Sequence, residues 1–295
     1  MEPSDPSATA PPQVEEGKSP AVGGAGPSAP GSALGGDDPS PVSRDGPSPV
    51  GRDGPDAFEQ AMGTLTASQR QAVDSTATAL CVIAGAGSGK TRVLTLRAAK
   101  RIREGSADAD HTAICTFTRK AARELRQRLD HYGVLVSAPS VAGGAPGPGV
   151  RAGTLHQLAL TLLRRHAQDT GQAPPTVAEH RFRMVTAIVG EPTVASAIDN
   201  EIAWAKANSL TPATYGERAE VTGRTCAVSL DRVKAGFEAY EEALRKRRML
   251  DLDDVLVRAA DLIHDDDGFA ERAHWRYRHL SVDEFQDINP AQFRL

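Results

Sequence analysis

The chain has little of what would place it outside a reducing, aqueous setting. Its 295 residues hold three cysteines, Cys81, Cys115 and Cys226, scattered and mostly in apolar, strand-like contexts. That excludes a disulfide framework and any Cys/His metal spacing, and points to a reducing compartment. No apolar run approaches the length needed to span a bilayer, so no membrane partner is expected. The N-terminus lacks both the apolar core of a signal peptide and the Arg-rich amphipathicity of a transit peptide, which leaves a cytoplasmic location as the expectation.

Large apolar residues are also scarce at the start. Residues 1–56 carry 12 of the 20 prolines and a tandem octapeptide, PSPVSRDG at 39–46 followed by PSPVGRDG at 47–54. Such a segment cannot bury enough apolar surface to offset its ordering entropy, so residues 1–58 are expected to form a disordered tail and spacer. The tail also distorts the charge. It carries nine acids against three bases, a net of −6, so the rest of the chain is +2 although the whole is −4. Residues 92–128 alone hold ten Lys/Arg against four acids. A basic surface of this kind suits a polyanion, or is simply a solvated helix face.

What is present is a glycine-rich turn after an apolar run. Ala79-Leu80-Cys81-Val82-Ile83 leads into Ala84-Gly85-Ala86-Gly87-Ser88-Gly89-Lys90-Thr91. A short strand that opens through such a loop into a helix is the phosphate-cradling design of P-loop NTPases. Glycines let backbone N–H groups turn onto phosphate oxygens, and the helix adds its positive N-terminal end. Lys90 is placed to reach the β/γ-phosphates, and the Thr91 hydroxyl to complete a Mg²⁺ shell. The strict pattern has glycine where Ala84 stands. Near the other end, Arg278-His279-Leu280-Ser281-Val282-Asp283-Glu284-Phe285-Gln286-Asp287 reads as a short strand capped by two adjacent acids. A carboxylate at a strand end beside a P-loop is the second Mg²⁺ anchor, and its neighbour can polarise the attacking water.

The elements alternate at first. Strands are expected at Ala79–Ala84 and His111–Phe117, and helices at Lys90–Arg103 and Lys120–His131, which argues an α/β fold with a parallel sheet covered on both faces. Ser137–Gly149, rich in Gly, Pro and Ala, reads as a surface loop. Helix resumes at Leu155–His166, and from Glu179 to Asp265 almost everything reads helical, without strands. The acids Asp251, Asp253 and Asp254 resemble a metal site but read better as an N-cap and first-turn charges. The expected architecture is a P-loop sheet domain interrupted by an all-helical subdomain: tail 1–58, ATP-binding domain 59–170, helical segment 171–276, and a return to the sheet at 277–295.

Five motifs in order then resemble those of UvrD/Rep/PcrA-type superfamily 1 DNA helicases, from Leu65 to the C-terminus. LTASQRQAV at 65–73 resembles the Q motif, AGAGSGKT at 84–91 the family's own P-loop including the leading Ala84, TFTRKAA at 116–122 and GTLH at 153–156 the next two, and VDEFQD at 282–287 the last. The resemblance implies a RecA-like core with ATP and Mg²⁺ as cofactors. It assigns adenine reading to Gln69, the phosphate loop to Ala84, Gly85, Ala86, Gly87, Ser88, Gly89, Lys90 and Thr91, a nucleotide contact to Arg92, and metal binding to Thr91 and Asp283. Glu284 becomes the water-activating base and Gln286 the γ-phosphate sensor, so Lys90, Asp283, Glu284 and Gln286 form the catalytic set. DNA contacts fall to Phe117, Thr118, Arg119, Thr154 and His156. A base stacking on an aromatic gains about 1–3 kcal/mol regardless of its identity, the alternative for Phe117 being a core aromatic. Trp204, in the segment that resembles the family's accessory subdomain, reads as a packing residue. The implied activity is 3′-to-5′ translocation on single-stranded DNA and at single/double-strand junctions, in repair or replication, by a monomer. The family's remaining arginines and adenine-stacking aromatic lie downstream of this region, so the chain is expected to be the N-terminal part of a longer helicase. The alternative is a short product that binds nucleotide or single-stranded DNA without catalysis.

Overall fold

The computed structural model describes residues 56–137 and 147–295. The expected tail therefore lies almost wholly outside the described residues, as does most of the 137–149 loop. At the end of the tail, Asp56 caps the first helix and Phe58 is buried.

Two short helices precede the phosphate loop, α1 (Ala57–Gly63) and α2 (Ala67–Asp74), neither of them expected from the sequence. A long helix, α3 (Lys90–Arg103), follows the loop and buries Val93, Leu96 and Ala99. Next come β1 (Thr112–Thr116), α4 (Arg119–His131), β2 (Arg151–Thr154) and α5 (Leu155–Asp169). The spacing of Ala122, Leu125 and Leu129 puts one face of α4 in the core, each leucine contributing about 1.5–3 kcal/mol by burial. After a two-residue strand, β3 (Thr176–Val177), come four helices: α6 (Arg181–Val189), α7 (Pro192–Ala207), α8 (Pro212–Val221) and α9 (Leu230–Arg247). Then follow β4 (Met249–Leu250), α10 (Leu252–Asp265), α11 (Asp267–Arg276), β5 (His279–Val282) and α12 (Pro290–Arg294).

The main sheet is parallel with order β2-β1-β5, so the last strand returns beside the first after the whole helical segment has been traversed. All five residues of β1 are buried. Alternation along it divides the core in two. Ile114 packs with Phe58, Leu96, Leu125 and Leu129 on one face, whereas Ala113 and Cys115 face clusters built from α5, α10 and α11. Helices thus cover both faces, as a parallel sheet requires. Helices α6–α9 surround their own core of Ile198, Ile202, Tyr215, Phe237 and Tyr240.

Two expectations are corrected. Ala79–Ala84 is not a strand; Leu80, Val82 and Ile83 are 41%, 39% and 93% exposed. An apolar run becomes a strand only against a partner with free backbone groups, and this segment joins no ladder among the described residues. The helical region does contain strands, since β3 pairs in parallel with β4. Helices α10 and α11, continuous in sequence with that region, pack instead on α5 and the sheet. Among the described residues no helix is long and apolar enough to cross a membrane.

Candidate active site

The C-terminal ends of β1, β2 and β5 carry part of the expected site, as is usual for open α/β sheets, whereas the phosphate loop follows a segment that is not a strand. The phosphate loop turns through left-handed backbone at Gly87 and Gly89, with φ of 73° and 86°. Gly89 is the N-cap of α3, and a Cβ there would lie 3.1 Å from Gln69 Nε2, so any other residue would be both strained and crowded. Ser88 closes the turn, its N–H and its hydroxyl both donating to Gly85 O at 3.3 and 2.7 Å. Lys90 begins α3 and folds back over the loop, Nζ donating to the carbonyls of Ala84 at 3.0 Å and Gly85 at 3.1 Å.

The next residue makes the decisive contact. Thr91 Oγ1 donates to Asp283 Oδ2 at 2.9 Å, joining groups 192 residues apart. Asp283 is held at the end of β5, its N–H donating to Cys115 O of β1 at 2.8 Å while its other oxygen accepts Glu284 N–H at 3.1 Å. Glu284 sits in left-handed backbone, φ 53°, which turns its carboxylate out of the strand direction, and Gln286 Nε2 donates to Glu284 Oε2 at 2.7 Å. Loop, lysine, hydroxyl and two acids thus converge on one point. Thr91 and Asp283 offer the hard oxygen donors that Mg²⁺ takes, and among the described residues no cluster of three His, Cys, Asp or Glu offers a rival cage.

Gln69 lies beside the loop, but both arms of its amide are engaged. Oε1 accepts Thr66 N–H at 3.0 Å in a capping box at the start of α2, and Nε2 donates to Ser88 O at 2.9 Å. It ties α2 to the phosphate loop. The capping-box signature, Thr followed by Gln three residues on, was readable in the sequence. Arg92 points away from the loop, donating to Ala61 O at 2.8 Å and to the Thr64 hydroxyl at the end of α1. Arg97 was not anticipated. It reaches four residues at and beyond the end of α2, including the carbonyls of Ala72 and Ala77 at 3.3 Å.

A profile of the UvrD/REP helicase N-terminal domain matches residues 65–295. The chain belongs to this family. It is 33% identical over 253 residues to the ATP-dependent DNA helicase UvrD2 of Mycobacterium tuberculosis, covering 81% of this chain and 35% of that protein. It is 30% identical to the ATP-dependent DNA helicase PcrA of Leuconostoc citreum over 77% of the chain and 30% of the relative, and 29% identical to Rep of Escherichia coli over 78% and 33%. The chain therefore spans about a third of the length of the curated relatives it matches.

The remaining motif residues of this UvrD/REP-type domain also lie at the C-terminal edge of the sheet. Half-buried Phe117 follows β1, and Thr118 caps α4, its hydroxyl accepting Ala121 N–H at 3.0 Å; Arg119 is exposed. Thr154 is buried and caps α5 through a reciprocal box with Gln157, at 3.3 and 2.9 Å. A Cβ on Gly153 would meet Gln157 Oε1 at 2.8 Å, which accounts for glycine at that position. Half-buried His156 is held below its ordinary pKa by burial, with the Asp253 carboxylate opposing the shift. Of the five, Thr118 and Thr154 have hydroxyls already in use as helix caps, whereas Arg119 is free of an ion pair among the described residues.

The acids at the start of α10 are a cap and more. Asp251 is the N-cap and exchanges hydrogen bonds with Asp254. Lys206 of α7, almost fully buried, lies 2.9, 2.6 and 2.7 Å from Asp251, Asp254 and Glu241, while Arg181 of α6 bridges Asp199 at 2.7 Å and Asp253 at 2.6 Å. Burial pulls Lys206 down, but the three carboxylates outweigh it and hold it above the usual lysine range. The sequence shows the acids; nothing in it shows that two cations from α6 and α7 come to meet them.

Proposed function

We propose that this chain is the ATP-binding part of a DNA helicase that couples ATP hydrolysis to 3′-to-5′ translocation on single-stranded DNA. The observation that carries the reading is the 2.9 Å contact between Thr91 and Asp283, with Lys90 beside it and Glu284 backed by Gln286. Bound Mg²⁺ would supply neutralisation of phosphate charge. Thr91 and Asp283 would hold the ion, and Lys90 would exchange its two loop carbonyls for phosphate oxygens. Glu284 accepts the proton of the attacking water. Gln286, bonded to that carboxylate, is placed to register loss of the γ-phosphate. Phe117, Arg119 and His156 share the same edge of the sheet, so a strand of DNA lying there is close enough to feel that change. The reading extends to work on single/double-strand junctions in repair or replication, by a monomer in the cytoplasm.

The test is ATP turnover by the full-length protein with and without single-stranded DNA. DNA should stimulate it, and Lys90→Ala and Glu284→Gln should each reduce the stimulated rate at least about a hundredfold, the scale of losing a positioned acid/base or charge-stabilising group. Wild-type turnover by both variants would refute the site.

A further inference from the structure

We propose that the N-terminal edge of the sheet, the end away from the nucleotide, is a second surface for single-stranded nucleic acid, centred on Trp275. The strands are parallel, so their starts share one edge. Arg151 opens β2 beside Ala113 of β1, and His279 opens β5 beside Thr112. Strands of four and five residues put this edge on the order of 15 Å from the phosphate loop.

Arginines collect there. Arg276 ends α11 and Arg278 precedes β5. Arg101, near the end of α3, and Arg165, near the end of α5, lie close enough to act on the same groups. Burial lowers Arg151, and the positive charges of Arg276 and Arg165 lower it further against Tyr277 and Asp110; burial also lowers His279, helped by Arg101, Arg278 and His111 against Asp108. None of these five arginines makes an ion pair among the described residues, unlike Arg103, Arg181 and Arg224, although the Asp110 carboxylate acts on Arg151 from nearby. Asp108 and Asp110 also lie at this edge, accepting the backbone N–H groups of Asp110 at 2.9 Å and of Gly149. Arg151 Nη1 donates to Asp110 O, while the buried Nε atoms of Arg151 and Arg276 have no acceptor among the described residues. Five arginines against these two acids leave the edge with an excess of positive charge.

An exposed aromatic stands in the middle of it. Trp275 is 61% exposed, and its ring lies 4.0 Å from that of His111, braced edge-on. Trp204, by contrast, packs against the helical core beneath Arg224. A braced, exposed indole on an edge rich in arginine matches what a single strand presents: a π-face on every base and a phosphate on every link. An acidic peptide offers the charge without the stacking partner. The identity of the polyanion as DNA rests on the helicase reading; the surface itself does not.

Oligonucleotide binding by the full-length protein, without nucleotide, tests this. The probe is a short fluorescein-labelled oligo(dT), followed by anisotropy across a salt series. Trp275→Ala should weaken binding about five- to a hundredfold, the range for stacking one base. Arg165→Glu/Arg278→Glu should lower the salt slope by about 1.4, as two lost phosphate contacts do on single strands. Arg218→Glu/Arg247→Glu, the same charge change on α8 and α9, should do neither. With Trp204 replaced by phenylalanine, Trp275 emission should be quenched on binding. The proposal is overturned if the Trp275 and arginine variants bind no worse than the control, or if polyglutamate competes as well as oligo(dT) and the emission is unmoved. Loss of all binding in Phe117→Ala/Arg119→Glu would overturn it while leaving the helicase reading intact. Binding unchanged there but lost in the Trp275 variant would sustain it and count against the motif assignments.

Discussion

At the scale of single residues, the histidines give the protein a directional response to pH. Burial holds His156 and His279 below the ordinary value of 6.5, so the folded chain resists a proton that the unfolded chain accepts. Their contribution to stability is complete above pH 6.5 and is lost as the pH falls below it. Asp254 acts in the opposite sense. Burial pushes it up to about 6, so the fold binds a proton there that the unfolded chain has already released. The melting temperature should therefore fall between pH 7.5 and 6, and His156→Gln/His279→Gln should remove most of that fall. A double variant with the wild-type slope would show that these imidazoles are not the titrating groups.

At the scale of elements, chain order and spacing carried much of the reading. The helix expected at Lys90–Arg103 is found with those bounds, and the strand and helix expected at 111–117 and 120–131 lie within a residue or two of theirs. Periodic burial and hydroxyl caps are local, and local signals survive in a sequence. Partners are not local. Leu80, Val82 and Ile83 have the composition of a buried strand and no ladder to join; the same blindness hid β3 and β4, which find each other across about 70 residues. Around the phosphate loop the motif residues were legible, yet the grip of Gln69 on Ser88 and the turn of Arg92 toward α1 depend on neighbours no spacing reveals. Hydrogen exchange separates the two classes. Amides of Ala79–Ala84 should exchange fast, at the rate of exposed loops, while those of Thr112–Thr116 should exchange only on global opening. Equal protection in both would mean that residues 79–84 are paired in solution.

At the scale of the whole molecule, the first turn of α10 is the joint between the helical core and the sheet. Its acids are held by cations from α6 and α7, while its apolar face, Val255, Leu256 and Ala259, packs with α5. Lys206→Met keeps the stem and strands three carboxylates, a loss of about 3–5 kcal/mol on the scale of a broken buried pair. Urea unfolding should show that loss, with the helical core separating from the sheet in an earlier transition. A variant as stable as wild type would mean that the joint is made by apolar packing alone. The order β2-β1-β5 also has a consequence for synthesis. A ribosome adding about 5–20 residues per second needs roughly 10–40 s to pass from Thr91 to Asp283. Throughout that interval the phosphate loop is out of the tunnel without its acidic counterpart. The nascent chain must keep its apolar β1 and finish helices α6–α9 before the third strand arrives, so the contact between Thr91 and Asp283 can close only near the end of folding.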